Sequence, residues 1–176
     1  MRKTIASPHA PKAIGPYSQG VLTAHFPGVE MLHAAGQIPI DPATGELVAG
    51  DVAAQAERVM ENVAAVLAHA GMDFSHVVKT TVFLVDLADF AAMNEVYGRR
   101  FPGEFPARST VQVAALPKGA RIEVEVHAVK HPPAAAARPS RTRRSAPRAG
   151  KPVKAARTRK PARPARKGGP KPRGRR

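Results

Sequence analysis

From residue 52 the apolar positions take up the spacing of a helix. Val52, Ala56, Val59, Met60, Val63, Val66, Leu67 and Ala70 recur at intervals of three and four, which lines them along one stripe. Asp51 stands where an N-cap carboxylate accepts from the first turn, and Gly71 stands where a helix stops. A shorter helix is predicted from about Asp89, with Phe90, Met93, Val96 and Tyr97 on its buried side. Elsewhere β-branched runs between turn residues predict strands at about residues 18–24, 30–35, 77–84, 109–114 and 121–129.

The last two strands read as a β-hairpin. Val111 and Val113 precede Leu116-Pro117-Lys118-Gly119, whose proline and glycine suit a turn, and Ile122, Val124, Val126 and Ala128 follow in alternation. Arg121, Glu123, Glu125 and His127 therefore share the opposite face of the second strand. Together these elements describe an α+β sandwich with helices on one face of the sheet.

Composition divides the chain in two. Residues 132–176 hold 17 of the 28 Lys and Arg, with nine Pro, ten Ala and four Gly, and neither an acidic nor an aromatic residue. The net charge of +15 therefore belongs to this tail, because residues 1–131 keep the other 11 basic residues against all 13 acidic ones, a formal −2. Residues 1–131 suffice for one domain with its own core. The tail buries too little apolar area to offset ordering entropy, and it is expected to be extended and without fixed structure. Such charge density points to nonspecific DNA or RNA binding, without sequence reading because no ring is available for stacking. A solubility appendage, a binder of acidic proteins or ribosomal surfaces, and unselected translation of a GC-rich gene end are the competing accounts.

No stretch approaches the roughly 18 apolar residues of a membrane helix, and Met1 to Pro8 lack an apolar signal core. A cytoplasmic location without membrane contact is expected. With no cysteine, the chain has neither disulfides nor thiolate chemistry. Its seven histidines form no ligand pair on a predicted helix, so no metal site is expected.

Candidate chemistry sits on the hairpin. Arg108 opens the first strand just after Pro106, and Glu123 lies on the polar face of the second. An arginine and a carboxylate so placed suit a small anionic substrate and a general base, although on spacing alone they also suit a solvated strand surface.

The run Pro106-Ala107-Arg108-Ser109, followed by Leu116 and by Ile122-Glu123, resembles the signature of the RidA family, the reactive imine and enamine deaminases also known as YjgF. Four further stretches match the same family in order. They are Ala13-Ile14-Gly15-Pro16-Tyr17-Ser18-Gln19; Gly36-Gln37-Ile38-Pro39 with Asp41-Pro42 and Thr44-Gly45-Glu46; Val78 to Leu84; and Asp89-Phe90 with Asn94-Glu95-Val96-Tyr97. The resemblance implies a chorismate-mutase-like fold, a mixed sheet with two helices on one face, assembled as a homotrimer with sites in the clefts between subunits.

The resemblance also assigns roles. Arg108 matches the arginine that holds the substrate carboxylate, for which a planar guanidinium fork is suited. Glu123 matches the glutamate that activates water, Tyr17 a tyrosine lining the pocket, Asn94 a helix asparagine pointing into it, and Gly36 a glycine whose backbone approaches the ligand. Thr110 stands where many members have cysteine, and Ala35 where many have serine, which puts substrate preference in question. The implied reaction is hydrolysis of 2-imino acids, formed from 2-aminoacrylate or 2-aminocrotonate, to 2-oxo acids and ammonia. It needs no cofactor and protects pyridoxal-phosphate enzymes. Competing classes are a nucleic-acid-associated protein on a silent RidA scaffold, and the chaperone-like or ribonuclease activity reported for some relatives.

Overall fold

Six strands make one sheet: β1 (Arg2–Ile5), β2 (Gly20–Phe26), β3 (Val29–Gln37), β4 (Val77–Leu84), β5 (Ala107–Gln112) and β6 (Ile122–Lys130), in the spatial order β1-β2-β3-β6-β4-β5. Helices α1 (Val52–His69) and α2 (Phe90–Arg99) cover one face. The computed structural model describes residues 1–132 apart from residues 27 and 102, so the expectations for the basic tail from residue 133 onward lie outside the described residues. Every strand pair is antiparallel except β4–β5, which is parallel and joined through α2, the long connection a parallel pair requires.

The α1 stripe is buried at all eight positions from Val52 to Ala70. Asp51 accepts a hydrogen bond from the Ala54 amide at 2.9 Å, and Gly71 ends the helix at φ +72°. From the sheet, Leu32, Val82, Leu84, Ile122, Val124 and Val126 meet Val59, Met60, Val63, Val66 and Leu67 of α1 and Met93 and Val96 of α2, none more than 2% exposed. Each such side chain contributes about 1.5–3 kcal/mol by leaving water.

Four expectations are corrected. A sixth strand, β1, went unpredicted because only Ile5 of its four residues is buried, which leaves no alternation to detect. The second helix begins where expected, at Phe90 directly after Asp89, and Asp86 caps the preceding turn through the Ala88 amide at 2.8 Å. Phe90 itself is 39% exposed, while Met93, Val96 and Tyr97 are buried. Arg121 leaves the row of Glu123, Glu125 and His127: it precedes β6, and its guanidinium donates to both Asp89 carboxylate oxygens at 2.9–3.2 Å.

The largest correction concerns the hairpin. β5 and β6 do not pair, because β4 lies between them. Residues 113–121 instead cross the C-terminal end of β4, where Val113 donates to the Leu84 carbonyl at 2.8 Å and the Arg121 carbonyl accepts from Val85 at 3.1 Å. Pro117-Lys118-Gly119 forms one 3₁₀ turn, with Lys118 at φ 56° and Gly119 at φ 75°. Leu116 and Ala120 pack with Ile38, Ile40 and Leu47, which draws the loop toward the segment after β3. A turn of suitable composition thus serves a crossover, since burial of its own apolar residues outweighs the local hairpin preference.

Candidate active site

Glu123 and Arg108 belong to different faces of the sheet. On β6 the buried positions Ile122, Val124, Val126 and Ala128 point at the helices, so Glu123 points to the open face. On β5, Arg108 is the register partner of Thr80, a residue wholly buried beneath α2, and so shares the helix-side face. Its guanidinium carbon lies 4.6 Å over the Tyr97 ring and 5.5 Å from the Phe90 ring, both on α2. Tyr97 is held by a 2.8 Å hydrogen bond between its hydroxyl and that of Thr80. The platform that positions Arg108 is thereby tied into the core, and the cation gains cation–π attraction.

Around Arg108, a cavity of about 410 Å³ is lined by Asn94, Tyr97, Gly98, Phe105, Pro106 and Arg108 itself. Among the described residues no carboxylate pairs with this guanidinium, which leaves its donor fork available. Thr110, two residues along the same face, has a buried hydroxyl with no hydrogen-bond partner. It is not among the residues lining the cavity.

Glu123 lines a second cavity of about 250 Å³ with Ile14, Tyr17, Ala35, Gly36, Ile38 and Pro117. Burial pushes its carboxyl above the usual 4.5, and the neighbouring Glu125 charge adds to the rise. Gly36 explains how the carboxylate reaches this position. A Cβ there would sit 2.6 Å from the Glu123 Cδ and closer still to Oε1, so the side chain lies directly against the β3 backbone. The glycine is required by this close approach and not by its backbone angle, since it is absent from the positive-φ residues. Tyr17 is 47% exposed at the rim, its hydroxyl accepting from the Ile14 amide at 3.3 Å.

The six candidate residues therefore fall into two half-sites: Glu123, Tyr17 and Gly36 on the open face, and Arg108, Asn94 and Thr110 on the helix side. Sequence reasoning missed Tyr97 and Phe105 as neighbours of Arg108. Tyr97 carried only the signal of a core aromatic, and its second role depends on where β5 lies against α2.

Residues 7–130 match the family model described as Endoribonuclease L-PSP, the family also called YjgF or RidA. The chain belongs to the RidA family. It is 62% identical over 128 residues to Protein DfrA of Myxococcus xanthus, covering 73% of this chain and 95% of that protein. It is 48% identical over 132 residues to the human 2-iminobutanoate/2-iminopropanoate deaminase, covering 75% of this chain and 93% of the human protein. Among solved RidA-family structures, the YjgF gene product of E. coli aligns with TM-score 0.66 at 50% identity, over 72% of this chain and 98% of its own. E. coli TdcF with bound serine aligns with TM-score 0.66 at 45% identity, over 73% of this chain and 98% of its own. The mixed six-stranded sheet with two helices is that of these RidA neighbours.

Proposed function

We propose that this chain hydrolyses reactive 2-imino acids to 2-oxo acids and ammonia, in sites assembled between copies of a homotrimer. One observation carries the reading: an unpaired guanidinium and a half-buried carboxyl, each lining its own cavity, lie on opposite faces of one sheet. They meet only when the Arg108 cavity of one copy faces the Glu123 cavity of another. A substrate with a carboxylate beside an electrophilic carbon bridges that joint. The name of the human relative supports this substrate class, and serine bound to TdcF supports recognition of a small amino-acid carboxylate.

In this site Arg108 donates two parallel hydrogen bonds to the substrate carboxylate and fixes its orientation. Glu123 takes a proton from water as the water oxygen bonds to C2 of the protonated imine and the C=N pair moves onto nitrogen. The carbinolamine so formed accepts that proton on its nitrogen. Its hydroxyl then returns a proton to Glu123 as C=O forms and the C–N bond breaks, releasing ammonia. A carboxyl whose proton affinity is raised by burial suits both directions of transfer. No cofactor enters, because a protonated imine is already electrophilic. Asn94 and Tyr17 border the two halves of the pocket, and Ala35 leaves an apolar wall where a hydroxyl would otherwise face the substrate. In the cytoplasm this reaction drains the imines, and with them the enamines in equilibrium with them, before the enamines attack pyridoxal-phosphate enzymes.

The ribonuclease reading suggested by the family model's description is less favoured. Among the described residues no histidine lines either cavity, so a paired-imidazole cleavage of a phosphodiester has no acid and base there. The deciding assay is ammonia and 2-oxo-acid release from freshly generated 2-iminobutanoate and 2-iminopropanoate. Arg108→Ala is expected to lower kcat/KM by about 10²-fold, as for a lost charge-assisted bidentate contact, with little recovery in Arg108→Lys. Equal rates in wild type and Arg108→Ala sink the proposal.

A second reading attaches to residues 132–176, whose 17 Lys and Arg face no acidic residue in that segment. We propose that this segment binds duplex DNA or RNA without sequence preference. If about ten phosphates are engaged, log affinity falls with log salt at a slope near about −9 for full-length protein. A chain ending at residue 131 should lose that affinity; retained affinity without the tail refutes the idea.

A further inference from the structure

The register that sets Glu123 on the open face also sets two imidazoles side by side. His33 of β3 and His127 of β6 are direct cross-strand partners. Their Nδ1 atoms stand 2.9 Å apart, with the rings 77° to one another. Neither ring lines a half-site of the candidate active site, and His127 is four residues along β6 from Glu123, about 13 Å at the rise of a strand. Both rings lie on the sheet face that the helices leave open, and His33 is exposed.

In the neutral pair one ring donates Nδ1–H and the other accepts. Two imidazole nitrogens this close can also chelate one transition-metal ion, and the span they must adopt depends on the geometry of that ion. Donors about 2.05 Å from an ion lie about 2.9 Å apart when cis in a tetragonal arrangement, and about 3.3 Å apart in a tetrahedral one. The 2.9 Å of the hydrogen-bonded pair equals the tetragonal span, so chelation requires the rings to turn their lone pairs toward the ion without the strands moving.

We propose that His33 and His127 form a two-imidazole site for a tetragonal divalent cation, Cu(II) ahead of Ni(II) in the usual order of affinity. On binding, the donor ring moves its proton from Nδ1 to Nε2 through solvent, so both rings ligate as neutral imidazoles and no net proton is released. Water completes the coordination, since no cluster of three or more His, Cys, Asp or Glu suited to a metal occurs among the described residues. The surroundings permit a cation. Lys79 partners His127 across β4–β6, but its ammonium donates to Ser109 at 2.7 Å and is drawn toward β5. Glu125 adds a carboxylate on the same face of β6, and β2 contributes Val21 opposite His33. Helical spacing cannot reveal this pair, because its members are 94 residues apart and only the sheet register joins them.

The test is titration of the full-length protein with Cu(II), followed by electron paramagnetic resonance. The expected result is one strongest site per chain with two nitrogen ligands. His33→Gln and His127→Gln should each weaken that site by at least about tenfold, the lower range for disturbed metal sites, while His69→Gln leaves it intact. The unsubstituted protein supplies an arm independent of folding in the variants: substoichiometric Cu(II) should broaden the His33 and His127 ring resonances before those of the other histidines. Equal broadening of all seven histidines, or affinity unchanged in both folded variants, overturns the proposal.

Discussion

Mixing Arg108→Ala protein with Glu123→Gln protein should restore imine hydrolysis that neither variant performs alone. The expectation follows from the faces on which the residues lie. Arg108 is on the helix side beside Tyr97 and Glu123 is on the open side against Gly36, so no single chain can present both to one substrate. In a cyclic trimer each site draws Arg108 from one copy and Glu123 from the next. Random reassembly of equal amounts then gives about a quarter of the sites both intact residues, and about a quarter of the wild-type rate. Each variant alone should fall by about 10² or more, from loss of a charge-assisted contact in one case and of general acid–base catalysis in the other. The measurement is the rate after co-unfolding and refolding the mixture, against each variant treated alone. No recovery, with trimers shown to have exchanged subunits, would place the reacting groups within one chain and remove the interfacial site.

Gly36→Ala carries the second large effect. Alanine suits the backbone there, since Gly36 is not at positive φ, yet its Cβ would enter the space that the Glu123 carboxylate occupies. The side chain must swing away, and displacement of a catalytic group by about 1 Å costs about 10²-fold in rate. Secondary structure should be unaffected, and most of the loss should appear in kcat. In a Glu123→Gln background the same substitution should change activity little, because the group it displaces is already inactive. This double-mutant cycle separates two roles for one glycine. A full additional loss in that background would mean that Gly36 serves the substrate directly, as the family resemblance implies, and is not chiefly the seat of Glu123.

Much of this was legible in the residues themselves. The α1 stripe, its Asp51 cap and its Gly71 stop are local features, decided by neighbours three or four residues away, and they appear as read. The alternation of Ile122, Val124, Val126 and Ala128 likewise committed Glu123 to the face away from the core. The motif blocks alone carry the family's signature. What the residues could not show was which strand lies beside which. Pro117 and Gly119 satisfy a hairpin turn and a crossover turn equally well, and burial of Leu116 and Ala120 against Ile38, Ile40 and Leu47 decided between them.

The sequence by itself therefore determined the helices, the core faces, the charge division between domain and tail, and the chemical types at the candidate site. Only the tertiary structure decided that β4 intervenes between β5 and β6, that Arg108 and Glu123 occupy opposite faces, that Gly36 seats a carboxylate, and that His33 meets His127. The physical reason is one of range. Periodicity and capping are set by interactions within a turn or two, whereas strand order and register minimise the exposed apolar area of the whole sheet, which no short window of residues records.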